Sequence, residues 1–198
     1  MQPISSSSTG MMHNVRSLHE TLPGKIAILV AATIFVALCA HVSIPLFFTP
    51  VPITLQTFAV ILIGMALGPV AGFSTMLLYL AEGAAGLPVF SPAGPGGLAQ
   101  LLGPTGGFLF AYPLTAAAAG WIVRYLPSAM SRFSRAILAG IGSSIVTFAI
   151  GAAWLASLLH LGSVAVWSLA IAPFLLGEAA KITAAAGIFS AFQRWQRS

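Results

Sequence analysis

Between Lys25 and Arg194 the chain carries six formally charged residues: Glu82, Arg124, Arg132, Arg135, Glu178 and Lys181. A water-facing surface cannot be assembled from so few, since soluble domains are about 25% charged. Here 6% of 198 residues are charged, 58% are hydrophobic and the mean hydropathy is +0.99. The chain is therefore an integral membrane protein built from apolar helices. Its net charge of +5 does not indicate nucleic acid, because the eight basic residues form no dense patch. The single cysteine, Cys39, lies within an apolar run, which excludes an internal disulfide and argues against a metal site.

Segments near the ~20 residues needed to cross a bilayer set the architecture. Residues 1–23, serine-rich and without apolar periodicity, read as a mobile cytoplasmic tail rather than a signal peptide. Spans are expected at Ile26–Ile44, Ile53–Leu67, Val70–Ala85, Phe108–Val123, Ala136–His160 and Val166–Phe192, with a basic tail at 194–198. Gly68-Pro69 marks a tight turn between the second and third, which are short for a crossing. Prolines 45, 50 and 52 break the connection after the first span. The glycine- and proline-dense stretch 86–107, with Phe90, Leu98 and Leu101 in it, reads as an ordered loop packed on or into the bundle.

Orientation follows from lysine and arginine, which concentrate in cytoplasmic loops. Arg16, Lys25, Arg124, Arg132, Arg135, Arg194 and Arg197 all fit an all-α bundle of six membrane-spanning helices with both termini cytoplasmic, here a 24–193 membrane domain. The proline loop and the 86–107 loop then share the external side. Lys181 alone fails the pattern.

Lys181 lies three residues after Glu178 in an otherwise apolar helix, so both side chains occupy one face. Charges at membrane depth are costly and usually meet a partner, a cavity or a substrate. The pair either braces the bundle or forms the floor of a binding site under the two external loops. Gln56 is a buried amide candidate, suited to an interhelical hydrogen bond or to ligand contact. Glu82, near the end of the third span, suits an interfacial or loop-bracing role. His41 and His160 fall near span ends and read as interfacial rather than as a metal pair or proton relay. Trp121, Trp154, Trp167 and Trp195 read mostly as interfacial anchors. Ala27 and Ala31, four apart in the first span, let another helix approach closely, although alanine is common throughout the chain. There is no Walker-type phosphate loop and no serine nucleophile elbow, so energy for transport must come from a partner or an ion gradient.

Four segments together resemble the BioY family, the biotin-binding S components of energy-coupling factor transporters. They are Val51-Pro52-Ile53-Thr54-Leu55-Gln56-Thr57, Gly86-Leu87-Pro88-Val89-Phe90, Gly103-Pro104-Thr105-Gly106-Gly107-Phe108 and Pro173-Phe174-Leu175-Leu176-Gly177-Glu178-Ala179-Ala180-Lys181. The family commonly has Asp where this chain has Glu178, which keeps the charge and lengthens the reach by one methylene. The resemblance implies high-affinity capture of biotin at the external face of a bacterial cytoplasmic membrane. It also implies docking on a membrane coupling subunit that carries two ATP-hydrolysing subunits, with Ala27 and Ala31 as the docking surface. Some members are thought to work without dedicated partners, and self-association is left open. No enzymatic activity, cofactor, metal or nucleic acid is implied; biotin is the ligand.

Biotin presents a ureido ring, an apolar thioether ring and chain, and a carboxylate, so its pocket needs an acceptor, an apolar sleeve and a cation. Glu178 supplies the acceptor. Lys181 supplies the cation for the carboxylate or neutralises Glu178 while a loop holds the tail. Gln56 and Thr54 complete the ureido contacts, and Phe90 closes over the rings. Two other readings stand beside this one. A secondary transporter for another small anionic vitamin would couple ions through Glu82, Glu178 or the histidines. A membrane-embedded enzyme would use Glu178, Lys181 and His160, but these are too few for a convincing catalytic cluster.

Overall fold

The structure, a computed structural model, describes residues 21–195. The expected N-terminal tail therefore lies outside the described residues except at its end, where it is corrected: helix α1 (Leu22–His41) already includes Leu22 and Pro23. Thr21 caps it, its hydroxyl accepting from Gly24 N at 3.3 Å, and Pro23 sits where a helix has no use for an N–H. The helix stops before Ser43–Ile44, which forms strand β1 instead of continuing the span. It pairs antiparallel with β2 (Ile53–Thr54), Ser43 opposite Thr54, so the proline segment is a hairpin and the fold is not purely helical.

Helix α2 (Gln56–Leu67) and helix α3 (Pro69–Ala84) meet at Gly68, whose φ of +91° suits glycine. At about 1.5 Å per residue they rise only ~18 and ~24 Å, short of a ~30 Å hydrocarbon core. The 85–105 connection contains a short helix, α4 (Gly97–Leu102), and buries Phe90 and Leu101 while leaving Leu98 exposed. Helix α5 (Gly106–Tyr125) and helix α6 (Arg132–Leu159) follow.

The expected uninterrupted last span is broken. After α7 (Ser163–Val166) come a π-helical turn at Trp167–Ile171 and a 3-10 turn at Ala172–Phe174, then α8 (Leu175–Trp195). Pro173 lacks the N–H that a continuous helix would use, and Ile171 leaves helical geometry at φ −125°. Among the described residues, four helical segments are long and apolar enough to cross a membrane: Leu22–His41, Gly106–Tyr125, Arg132–Leu159 and Ser163–Trp195. α2 and α3 do not reach that length.

α5 is the central helix. Lipid tails are as apolar as leucine, so packing rather than the hydrophobic effect must hold such helices together, and small residues allow that packing. A Cβ at Gly64 of α2 would lie 2.8 Å from the Ala116 Cα of α5, and one at Gly120 would lie 2.6 Å from the Gly68 carbonyl carbon. Only glycine permits these backbones to approach so closely. One core lies among α1, α2, α3 and α5, around Tyr79, Met76 and Val60. A second joins α2, α5, α6 and α8 around Ile61, Ala139 and Phe189. A third, under the hairpin, joins Val51, Phe108, Leu155 and Phe174.

Basic side chains gather at the end remote from the hairpin. Lys25 and Arg124 line one cavity there, Arg124 and Arg135 a second, Arg132 and Arg194 a third.

Candidate functional site

Along α6 and α8 the second and third apolar cores are separated by a layer of polar side chains. Ser143, Ser144 and Thr147 come from α6, Thr115 from α5, Glu178 and Lys181 from α8, and all are buried. Gln56 and Thr57 at the start of α2 face the same layer: Thr57 bonds Glu178 and Lys181, and Gln56 shares a cavity with them. That cavity, about 60 Å³, is roofed by Val51 and Pro52 from the hairpin and by Ser91, Gln100 and Thr105 from the 85–105 connection. Phe108, Leu109, Tyr112, Phe148 and Phe174 make its apolar wall.

Glu178 and Lys181 are 4% and 9% exposed and form a 3.3 Å ion pair. Removing two charges from water costs several kcal/mol per ion, so such a pair persists only when further hydrogen bonds satisfy it. Here they do. Ser144 donates to Glu178 Oε1 at 2.7 Å, and Thr57 donates to Oε2 at 2.9 Å while its oxygen accepts from Lys181 Nζ at 3.0 Å. The carboxylate is fixed by three donors and the pair has no net charge. An ammonium has three N–H bonds, so Lys181 keeps one beyond Thr57 and Glu178. The pair thus does both things the sequence left open: it ties α2, α6 and α8 together and it lines the cavity.

Gln56 is the second polar group on the wall. Its Oε1 accepts from Thr54 at 3.2 Å and its Nε2 donates to the Tyr79 hydroxyl at 2.8 Å. Tyr79 in turn donates to the Val89 carbonyl at 2.7 Å, so the amide is positioned through a chain that ends in the 85–105 connection. Thr54 closes the turn before α2 by accepting from Gln56 N.

The structure thus brings Glu178, Lys181, Gln56 and Thr54 to one cavity. Phe90 is elsewhere: it is 4% exposed and packs edge-on against Tyr79 with ring centroids 5.4 Å apart, behind the wall rather than over the cavity. Glu82 braces a helix and not a loop, accepting from Thr33 of α1 at 3.0 Å. His41 contacts the Ala37 carbonyl at 2.8 Å, and His160 ends α6 in a left-handed turn; neither lines the cavity. Trp154 is half-buried and ties α6 to the 85–105 connection, its indole donating to the Gly103 carbonyl at 2.9 Å. Ala27 and Ala31 are exposed on α1 beside Ile34 and Leu38, also exposed.

Sequence reasoning passed over Thr57, Ser144, Tyr79 and Tyr112. Thr57 stands beside Gln56 in the same motif, one helical step further round, which is the signal that could have found it. Ser144 had none, being one of two adjacent serines in an apolar helix.

The comparisons with known proteins agree with one another. The family described as "BioY family" matches residues 11–198. A "Probable biotin transporter BioY" of Pyrococcus horikoshii is 39% identical over 158 residues, covering 77% of this chain and 87% of that one. A "Biotin transporter BioY" of Rhodobacter capsulatus is 36% identical over 170 residues, 82% of this chain and 86% of that one. Among solved structures, the S-component for biotin from an ECF-type ABC transporter superposes with a TM-score of 0.78 at 23% identity, covering 96% of this chain and 95% of that chain, which establishes a shared fold. With the match spanning nearly the whole sequence and relatives above one-third identity, the chain belongs to the BioY family.

Proposed function

We propose that this chain captures biotin in the cavity between the hairpin, α2, α5, α6 and α8, as the substrate-specific membrane component of an energy-coupling factor transporter. The observation that carries the reading is the buried Glu178–Lys181–Thr57 cluster, backed by Ser144, on a cavity wall that it shares with the apolar side chains Phe108, Leu109, Phe148 and Phe174. Few, well-placed polar groups in an apolar sleeve are what a molecule with a polar ring and an aliphatic tail requires. The names of the relatives, and that of the structural neighbour, point to biotin.

The ureido ring goes to the cluster. Lys181 is already neutralised by Glu178, so the cluster offers no net cation to a carboxylate, whose desolvation costs more than that of a neutral urea. Lys181 donates its remaining N–H to the ureido carbonyl, and Glu178 accepts from a ureido N–H. Gln56 adds a second amide contact. The carboxylate stays nearer water, beneath Ser91, Gln100 and Thr105. A cavity of about 60 Å³ holds a handful of waters at roughly 10–15 Å³ each. Entry of biotin therefore requires the hairpin and the 85–105 connection to part.

In the membrane, α2 and α3 complete their crossings through their flanking turns, giving six spans with both termini in the cytoplasm. The gathering of Lys25, Arg124, Arg132, Arg135 and Arg194 at the end remote from the cavity supports this orientation. Ala27 and Ala31 present an open helix face to a coupling subunit, and ATP hydrolysis belongs to further partners. Saturable binding of radiolabelled biotin to the purified protein is the expected result, weakened by roughly ten- to a hundredfold in Glu178→Gln or Lys181→Ala. Unchanged affinity in both variants overturns the site.

A further inference from the structure

At the opposite end from the proposed biotin cavity, α2, α5, α6 and α8 border a second, partly open cavity of about 350 Å³, lined by the exposed Arg124, by Arg135 and by Met65, Val123, Phe189 and Gln193 among others. Arg135 Nε is shielded from solvent and has no hydrogen-bond partner, the sole buried side-chain nitrogen or oxygen in that condition among the described residues. A guanidinium N–H buried without an acceptor is costly. The carboxylates of the described residues are engaged elsewhere: Glu178 with Ser144, Thr57 and Lys181, and Glu82 with Thr33. Arg124 uses one N–H on the Leu67 carbonyl at 3.2 Å and keeps the rest of its fork.

Two guanidinium groups facing one polar cavity suit an oxyanion that takes several N–H bonds at once, and phosphate is the group arginine grips best. The level of the cavity along the bundle indicates where such a group would come from. Exposed aromatic pairs stand at this end, Trp121 with Tyr125 at 5.1 Å and Phe192 with Trp195 at 6.4 Å between ring centroids. Aromatic belts of this kind mark the headgroup level of a bilayer. Phe189 and Val123 give the cavity an apolar wall continuous with the bundle.

We propose that this cavity binds a phosphate group through Arg135 and Arg124, presented by an anionic phospholipid headgroup. The test uses native mass spectrometry of the full chain in detergent with equal amounts of phosphatidylglycerol and phosphatidylcholine. Preferential retention of phosphatidylglycerol, on the order of tenfold, is expected. Arg135→Gln and Arg124→Gln should each bring the ratio near parity, while Arg194→Gln, which lines a different cavity, leaves it unchanged. Should Arg135→Gln fail to give monodisperse protein, Arg124→Gln is read alone. A parallel thermal melt with inorganic phosphate against chloride at matched ionic strength separates the sources. A phosphate-specific rise that Arg124→Gln abolishes supports the phosphate site with free phosphate as its occupant. Equal retention of the two lipids with no phosphate-specific rise overturns the proposal and leaves the arginines to an acidic partner protein. A loss in Arg194→Gln as large as in the others also overturns it, as diffuse surface charge.

Discussion

Ser144 donates a 2.7 Å hydrogen bond to Glu178 Oε1 and so joins α6 to α8 at the carboxylate that lines the cavity. It is the shortest bond in the cluster, made by a side chain that contributes no charge. Ser144→Ala should free one oxygen of Glu178 and weaken biotin binding on the order of tenfold, since a hydrogen bond to a charged group contributes about 1.5–3 kcal/mol. Equilibrium binding with radiolabelled biotin measures it, and full affinity in the variant would show that Glu178 needs no such support.

Removing one member of a buried ion pair leaves the other uncompensated, at a cost of about 3–5 kcal/mol. Glu178→Gln and Lys181→Met should therefore each lower the melting temperature of the ligand-free protein. The double variant should regain most of that loss while binding no biotin. A double variant less stable than either single change would mean that the two groups are not energetically coupled.

Tyr79 holds Gln56 on one side and the Val89 carbonyl on the other. Tyr79→Phe keeps the ring against Phe90 but strands both partners, costing about 1–3 kcal/mol for each group left buried and unpaired. Hydrogen–deuterium exchange in peptides covering 85–96 should rise. Exchange equal to wild type would show that the connection is held by its other contacts.

Helix crossing at Gly64 should tolerate no side chain. Its missing Cβ faces Ala116 backbone, which cannot rotate away, so Gly64→Val should cost at least the ~1–3 kcal/mol of ordinary overpacking. Gly187 of α8 is the control, because a Cβ there would meet nothing within 4 Å. Gly187→Ala should be neutral or stabilising by up to ~1 kcal/mol. Fluorescence-detected size exclusion after heating reads both.

On α1, replacing Ala27 and Ala31 with leucine should abolish co-purification with a coupling subunit and spare biotin binding. Retained co-purification would place the docking surface elsewhere.

What could be read before folding follows the range of the interaction. The Glu178–Lys181 spacing and the Gly68-Pro69 turn are local, and both stand in the structure as their sequence suggests. Thr54, Gln56 and Thr57 share one motif, but the role of Thr57 comes from its facing Lys181 across the bundle, a contact between distant parts of the chain. The path of the 85–105 connection decides whether Phe90 covers a ligand or lies behind Tyr79, and no local pattern fixes that path. Pro173 is different: its break was legible from the missing N–H, but the hydropathy of 166–192 masked it, since an apolar run reads the same whether its helix is continuous or not.

Neutrality of the Glu178–Lys181 pair has an electrical consequence. An anionic ligand seated beside a cancelled pair keeps its own charge, so the loaded site is electrically one unit more negative than the empty one. Carrying that charge inward against an inside-negative potential costs about 2.3 kcal/mol per 100 mV. The binding site contributes nothing to offset this work, so uptake by this chain should slow as the membrane hyperpolarises unless an external energy source drives each turnover.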